Sequence, residues 1–247
     1  LENLDIKITN KIKEKMSMNK VTTESLRLGI LLAIVGGFLD AYTYVGRGGI
    51  FANAQTGNIV LVSIEISKGQ WIQALLHMPP ILAFIAGVVV AETIKKSPPR
   101  FFIRDSVRTI LLLEIVVLFI IGFVPNTVPN SFVTVTISFV ASVQVATFRK
   151  LHAYPYSTTM STGNLYFASQ AAYVAVVNKD KKSALKALEY FTIIFSFIVG
   201  AFLGGLTTSY MGVKAIWGAA IVLVLAVTLL SISEVKRSTT GSNALSD

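Results

Sequence analysis

Six runs of about 20 mainly apolar residues, at 26–45, 71–94, 107–124, 131–148, 185–209 and 215–232, are separated by polar breaks that hold most of the charge. A run of that length crosses the roughly 30 Å hydrocarbon core as a helix. Lipid-exposed backbone must satisfy its own hydrogen bonds, so the runs restrict the chain to a helical membrane bundle. Composition agrees, with 14% charged residues where an ordinary soluble domain has about 25%. The first run is too long for a signal peptide and lacks a small-x-small cleavage site, so it is read as an uncleaved span. The expected class is an all-α integral membrane protein.

Two further segments, 52–67 and 157–177, are apolar only in their second halves and open on polar stretches, FANAQTGNIV at 51–60 and YSTTMSTGNL at 156–165. Basic residues decide whether they cross. If both cross, eight spans place Lys95, Lys96, Arg100, Arg104 and Arg108 outside, with Arg149 and Lys150, against the tendency of Lys and Arg to stay inside. If neither crosses, all 22 Lys and Arg lie inside except Arg47, Lys68 and Lys214. The formal charge of +9 is therefore read as topology, with both termini cytoplasmic, and no nucleic-acid partner is expected. The expected architecture is six transmembrane helices plus two re-entrant or short polar-start helices.

The two halves repeat this order of elements. Asp40-Ala-Tyr-Thr-Tyr44 aligns with Gln144-Val-Ala-Thr-Phe148, and Thr56-Gly-Asn58 with Thr162-Gly-Asn164. Three spans per half is an odd number, so the second half enters from the opposite face, an inverted internal repeat. The expected organisation is a cytoplasmic basic tail at 1–25, a first membrane repeat at 26–125, a second at 131–233 and a cytoplasmic tail at 234–247. Leu1, Leu4, Ile8 and Ile12 stand at helical spacing among lysines, a pattern suited either to an anionic leaflet or to a solvated tail.

Irregular backbone at membrane depth is tolerated only against protein or a wet cavity. A loop that dips inward and returns as a helix places that helix's free N–H groups deep in the protein. On this reading Thr56 and Thr162 cap the returning helices, Gly57 and Gly163 permit close approach, and Asn58 and Asn164 offer a donor and an acceptor each. Asn53, Gln55, Thr159 and Gln144 complete the candidate substrate-binding set. If the segments enter from opposite faces, two copies make one site. The plainer reading is a helix cap and small-residue packing between helices.

Asp40 lies deep in the first run, where an acid costs at least about 2.5 kcal/mol and is a functional candidate by default. It and Glu114, in Leu111-Leu-Leu-Glu114, are the candidate proton-coupling residues. The alternative for Asp40 is pairing with Arg47, Tyr42 or Tyr44 near the outer interface, and for Glu114 a hydrogen bond to a neighbouring helix. Glu65 and Glu92 fall near segment ends. Gly36-Gly37, Gly200 and Gly204-Gly205 suit close helix crossings, and Pro79-Pro80 suits a kink.

No cysteine is present, His77 and His152 are isolated, and no metal site is expected. No His-Glu-x-x-His, Gly-x-Ser-x-Gly, P-loop or dinucleotide fingerprint occurs, so no catalytic residue or cofactor is expected. The expected function is a transporter or channel for a small polar solute in the bacterial cytoplasmic membrane, in contact with membrane lipids and as a monomer or homo-oligomer. The alternative is a scaffold or sensor whose basic cytoplasmic face binds a partner or anionic lipid.

FLDAYTYVGRGGIFANAQTGNIVL, followed by VQVATFRKLHAYPYSTTMSTGNL, resembles the YoaK-type family of bacterial multi-pass membrane proteins. The resemblance covers nearly the whole chain from about residue 26 to 232. It implies a bacterial cytoplasmic-membrane protein and supplies no activity. Where the family commonly has Gln-Asn in the second block, this chain has Gln144-Val145.

Overall fold

The computed structural model describes residues 25–96, 106–151 and 154–243. The tail at 1–24, the basic residues Arg100 and Arg104, His152 and the last four residues lie outside the described residues, and so do the readings that rest on them.

Helix α1, Leu26–Gly46, starts where Ser25 Oγ accepts from the Leu28 N–H at 3.4 Å. Two short helices follow, α2 at Gln55–Ser67 and α3 at Trp71–Leu76. The second apolar run breaks at His77, and α4, Met78–Lys96, carries Pro79 and Pro80 in its first turn, where missing N–H groups cost no helical bond. Next come α5, Ser106–Ile121, and α6, Asn130–Thr147. A two-residue strand pair, β1 at Lys150–Leu151 and β2 at Tyr154–Pro155, leads to α7, Ser161–Val177, and α8, Lys181–Met211. A 3-10 turn, Gly212–Ile216, connects α8 to α9, Trp217–Asn243. Helix α9 thus continues past residue 233, where the sequence reading placed the start of a tail.

Asp180 starts α8 by accepting from the N–H groups of Lys182 and Ser183, each at 3.1 Å, and from the Ser183 hydroxyl at 2.6 Å. The Ser183 hydroxyl and these two amides hold its carboxyl below the usual carboxylate range. Among the described residues, four helical stretches are long and apolar enough to cross a membrane: Leu26–Gly46, Trp71–Lys96, Asn130–Thr147 and Lys181–Ile232. The last is not one rod. Phe38 meets Gly204 with its backbone and Gly218 with its ring, which requires the chain to reverse at the 3-10 turn.

Side chains are distributed as in a protein solvated by lipid. On α8 the large residues Leu185, Leu188, Phe195 and Phe202 point outward, while Ala187, Gly200 and Gly204 face the interior. Small residues let helices approach where no hydrophobic effect drives them together. Helix α1 packs along α8, and α4 along α6. A Cβ on Gly200 would collide with the backbone of Ile34, one on Gly37 with that of Phe197, and one on Gly87 with the carbonyl of Phe139. Helix α9 lies against α1 and α5, and the main apolar core fills that space with Leu32, Leu39, Leu111, Leu118, Ile137 and Leu223.

Candidate functional site

The loop before α2 turns back along α1 from its C-terminal end. The Ala52 N–H donates to Thr43 Oγ1 at 3.0 Å, and the Asn53 and Ala54 N–H groups donate to Asp40 Oδ1 at 2.6 and 3.2 Å. Asn53 Nδ2 reaches the carbonyl of Gly36 at 3.3 Å. Ser138 on α6 holds the same loop from the other side, donating to the Ala52 carbonyl at 2.6 Å.

The loop before α7 approaches α1 from its other end. Tyr190 donates to the Pro155 carbonyl at 2.7 Å and fixes the start of the descent. A Cβ on Gly29 would sit 3.4 Å from the Tyr156 hydroxyl, and one on Gly36 would sit 2.8 Å from Thr159 Cγ2 and 3.1 Å from the Thr158 carbonyl. Gly36 is the middle residue of α1, about 15 Å from either end at 1.5 Å per residue. Only a residue without a side chain lets the second loop close on the helix there.

Each loop is held in shape by its own asparagine. Asn58 accepts from the Phe51 N–H at 3.0 Å and donates to the Phe51 carbonyl at 2.8 Å. Asn164 accepts from the Ser157 N–H at 3.2 Å and donates to the Ser157 carbonyl at 2.6 Å. Both clasps span seven residues. Gln55 adds to the first, accepting from Asn58 Nδ2 at 2.9 Å and donating to the Ala52 carbonyl at 2.8 Å. The amide groups of Asn58, Asn164 and Gln55 are thus engaged with the loops themselves.

The expected caps are corrected. Helix α2 begins at Gln55 and α7 at Ser161, with Ala54 and Met160 in the cap positions and no side-chain cap bond at either. Thr56 and Thr162 fall one residue inside their helices and are exposed, as is Gly163. A Cβ on Gly57 would meet the Phe51 ring at 2.8 Å, whereas one on Gly163 would meet nothing within 4 Å, so only Gly57 serves close approach.

The turns that enter the two helices are instead stabilised at matching positions by different groups. In the first, the N–H groups of Asn53 and Ala54 bond to the carboxylate of Asp40. In the second, those of Thr159 and Met160 bond to Ser157 Oγ at 3.3 and 3.2 Å. Gln144, aligned with Asp40, is therefore released for another task and donates to Glu114 Oε2 at 2.9 Å. That pair joins α6 to α5 rather than a loop.

Asp40 does not pair with Arg47. The Arg47 guanidinium, fully buried, bonds to the Tyr42 hydroxyl at 3.3 Å, to the Val124 carbonyl at 2.8 Å and to Asn126 Oδ1 at 3.4 Å. Tyr42 donates onward to the Val213 carbonyl at 3.1 Å, so this cluster ties the end of α1 to two connecting turns. Among the described residues, Asp40 Oδ2, Asn53 Oδ1, Thr158 Oγ1 and Thr159 Oγ1 are buried without a hydrogen-bond partner in the protein. Thr158 is a residue that sequence reasoning missed, because its aligned mate Ala52 is apolar.

A small groove of about 40 Å³ runs beside the second loop, its walls apolar but for Arg149 and Ser157. Among the described residues, no three His, Cys, Asp or Glu gather as a metal site would require.

The chain matches the family model described as a protein of unknown function (DUF1275) over residues 28–229. It belongs to the DUF1275 family. The matched span contains α1 from Leu28 onward, both loops and both asparagine clasps, and the resemblance to YoaK-type proteins holds. The UPF0700 transmembrane protein YoaK of Bacillus subtilis (strain 168) is 28% identical to this DUF1275 chain over 138 residues, which are 55% of the chain and 61% of YoaK. No solved structure matches it.

Proposed function

We propose that this DUF1275 member is a transporter or channel for a small polar solute in the bacterial cytoplasmic membrane. In this reading α1, α3 with α4, α5, α6, α8 and α9 cross the bilayer, while α2 and α7 return to the face from which their loops entered. Both termini are cytoplasmic, as the placement of Lys and Arg favours.

The observation that carries the proposal is the approach of Asn53 and Thr159 to Gly36 from opposite ends of α1. A helix midpoint in a spanning segment is near the bilayer midplane, where carriers built from inverted repeats place their substrate site. The helix packing supports such a repeat. Exchanging the halves converts the α1–α8 contact into α6–α4, and the α9–α1 contact into α5–α6. The glycine crossings are similar, since Gly200 rests on Ile34 and Gly87 on Phe139, within one residue of equivalent places on α1 and α6.

The site residues on this account are Asp40, Asn53, Thr158 and Thr159, with Asn58, Asn164 and Gln55 fixing the loops that present them. Alternating access by rocking of one repeat against the other is the mechanism for a carrier. Stopped-flow light scattering on proteoliposomes challenged with a panel of small polar solutes tests the proposal. Permeation above protein-free vesicles, lost in Asn53→Ala, is the expected result. A folded protein that passes none of the panel contradicts it.

A further inference from the structure

The four unpartnered atoms around Gly36 are all oxygens. Asp40 is 4% exposed, Asn53 5%, Thr158 1% and Thr159 6%, so none looks to bulk water. Asn53 spans the Gly36 carbonyl and the Asp40 carboxylate, one helical turn apart, and the second loop closes on Gly36 with the Thr158 carbonyl and the Thr159 methyl. The residues that carry one carboxylate oxygen, one amide carbonyl and two hydroxyls therefore meet about a single turn of helix.

The sign of the preferred ligand follows from where the other carboxylate oxygen goes. The N–H groups at the entry to α2 form a natural anion site, and Asp40 Oδ1 already occupies it. At α7 the corresponding groups are occupied by Ser157 Oγ. What remains toward the junction is two acceptor oxygens, Asp40 Oδ2 and Asn53 Oδ1, and two hydroxyls, none bonded to another, and buried polar groups left so are costly unless a donor or a cation completes them. A proton on Asp40 serves only its own oxygen and one acceptor. A hard cation engages several oxygens at once, and one carboxylate balances a single positive charge.

We infer that the junction of the two loops at Gly36 binds a monovalent alkali cation through Asp40 Oδ2, Asn53 Oδ1 and the hydroxyls of Thr158 and Thr159. The inference rests on the transport reading only in placing the site between the repeats, and it names the ion that this site accepts.

The test is the thermal unfolding of the purified full chain in detergent, with NaCl, KCl or choline chloride at equal ionic strength, beside equilibrium binding of radioactive sodium. The expected result is a saturable rise in Tm with sodium or potassium over choline. Thr159→Val, which keeps the contact with Gly36 and removes the hydroxyl, weakens the response at least tenfold in concentration, and Asp40→Asn abolishes it. Equal Tm in all three salts overturns the inference, as does an undiminished response in a folded Asp40→Asn or Thr159→Val protein. A Tm that follows pH but not the alkali ion assigns the junction to a proton and likewise overturns it. Solute flux without any cation response leaves the transport proposal standing and removes this one, and cation binding without flux does the reverse.

Discussion

Asn58 and Asn164 make the same pair of hydrogen bonds, each gripping both backbone groups of the residue seven positions before it. The doubled Thr-Gly-Asn is thus first a device for shaping loops. An extended segment at membrane depth exposes N–H and C=O groups that lipid cannot satisfy, and a side-chain amide supplies one donor and one acceptor from a single position.

Replacing either asparagine removes both partners of a backbone pair. Asn58→Ala and Asn164→Ala are each expected to cost about 2–4 kcal/mol, from buried or half-buried groups left unpaired. Aspartate does not rescue, because it sets an oxygen against a carbonyl. Thermal unfolding in detergent measures this, and an unchanged Tm in both alanine variants contradicts the clasp.

Glycines at the crossings and in the loops differ in what they permit. Gly200→Val drives a side chain into the Ile34 backbone and is expected to destabilise by at least about 1–3 kcal/mol. Gly163→Ala meets open space and is expected to leave Tm unchanged or slightly raised, since alanine favours helix. Equal losses at the two positions, read by fluorescence-detected size exclusion after heating, count against the packing described.

Arg47 links the end of α1 to the Val124 carbonyl and Asn126 through a planar fork. Arg47→Lys keeps the charge and loses that fork, so it is expected to destabilise nearly as much as Arg47→Ala, by about 2–4 kcal/mol. Full rescue by lysine in the same unfolding measurement contradicts the tie.

Much of this was legible in the sequence, for reasons that also mark where legibility stopped. Apolar runs mark candidate spans because lipid thickness sets their length, and the aligned asparagines pointed to two segments that carry the same clasp. The partners of those asparagines were not visible, since an amide turned to its own loop and one turned to a solute read alike. The sequence pattern suits Thr56 and Thr162 to caps, but a helix start one or two residues away changes a cap into a first-turn residue. Arg47 looked like an outer-loop cation, and its burial depends on a turn 77 residues further along the chain. The asymmetry of Asp40 and Gln144 was visible, but its reason was not: Ser157 does locally for the second loop what Asp40 does from α1 for the first.

The central claim, that two polar loops enter from opposite faces and meet at one site, is tested most directly by cysteine accessibility, which a chain without cysteine makes clean. Single cysteines at the exposed positions Ser67, Lys96, Thr127, Asn178 and Lys214 are labelled on intact cells with a membrane-impermeant reagent. The account predicts labelling at Ser67, Thr127 and Lys214 and none at Lys96 and Asn178. Labelling at Lys96 with none at Ser67 and Thr127 would mean that the short helices cross the membrane and that both loops start from the same face, which contradicts it.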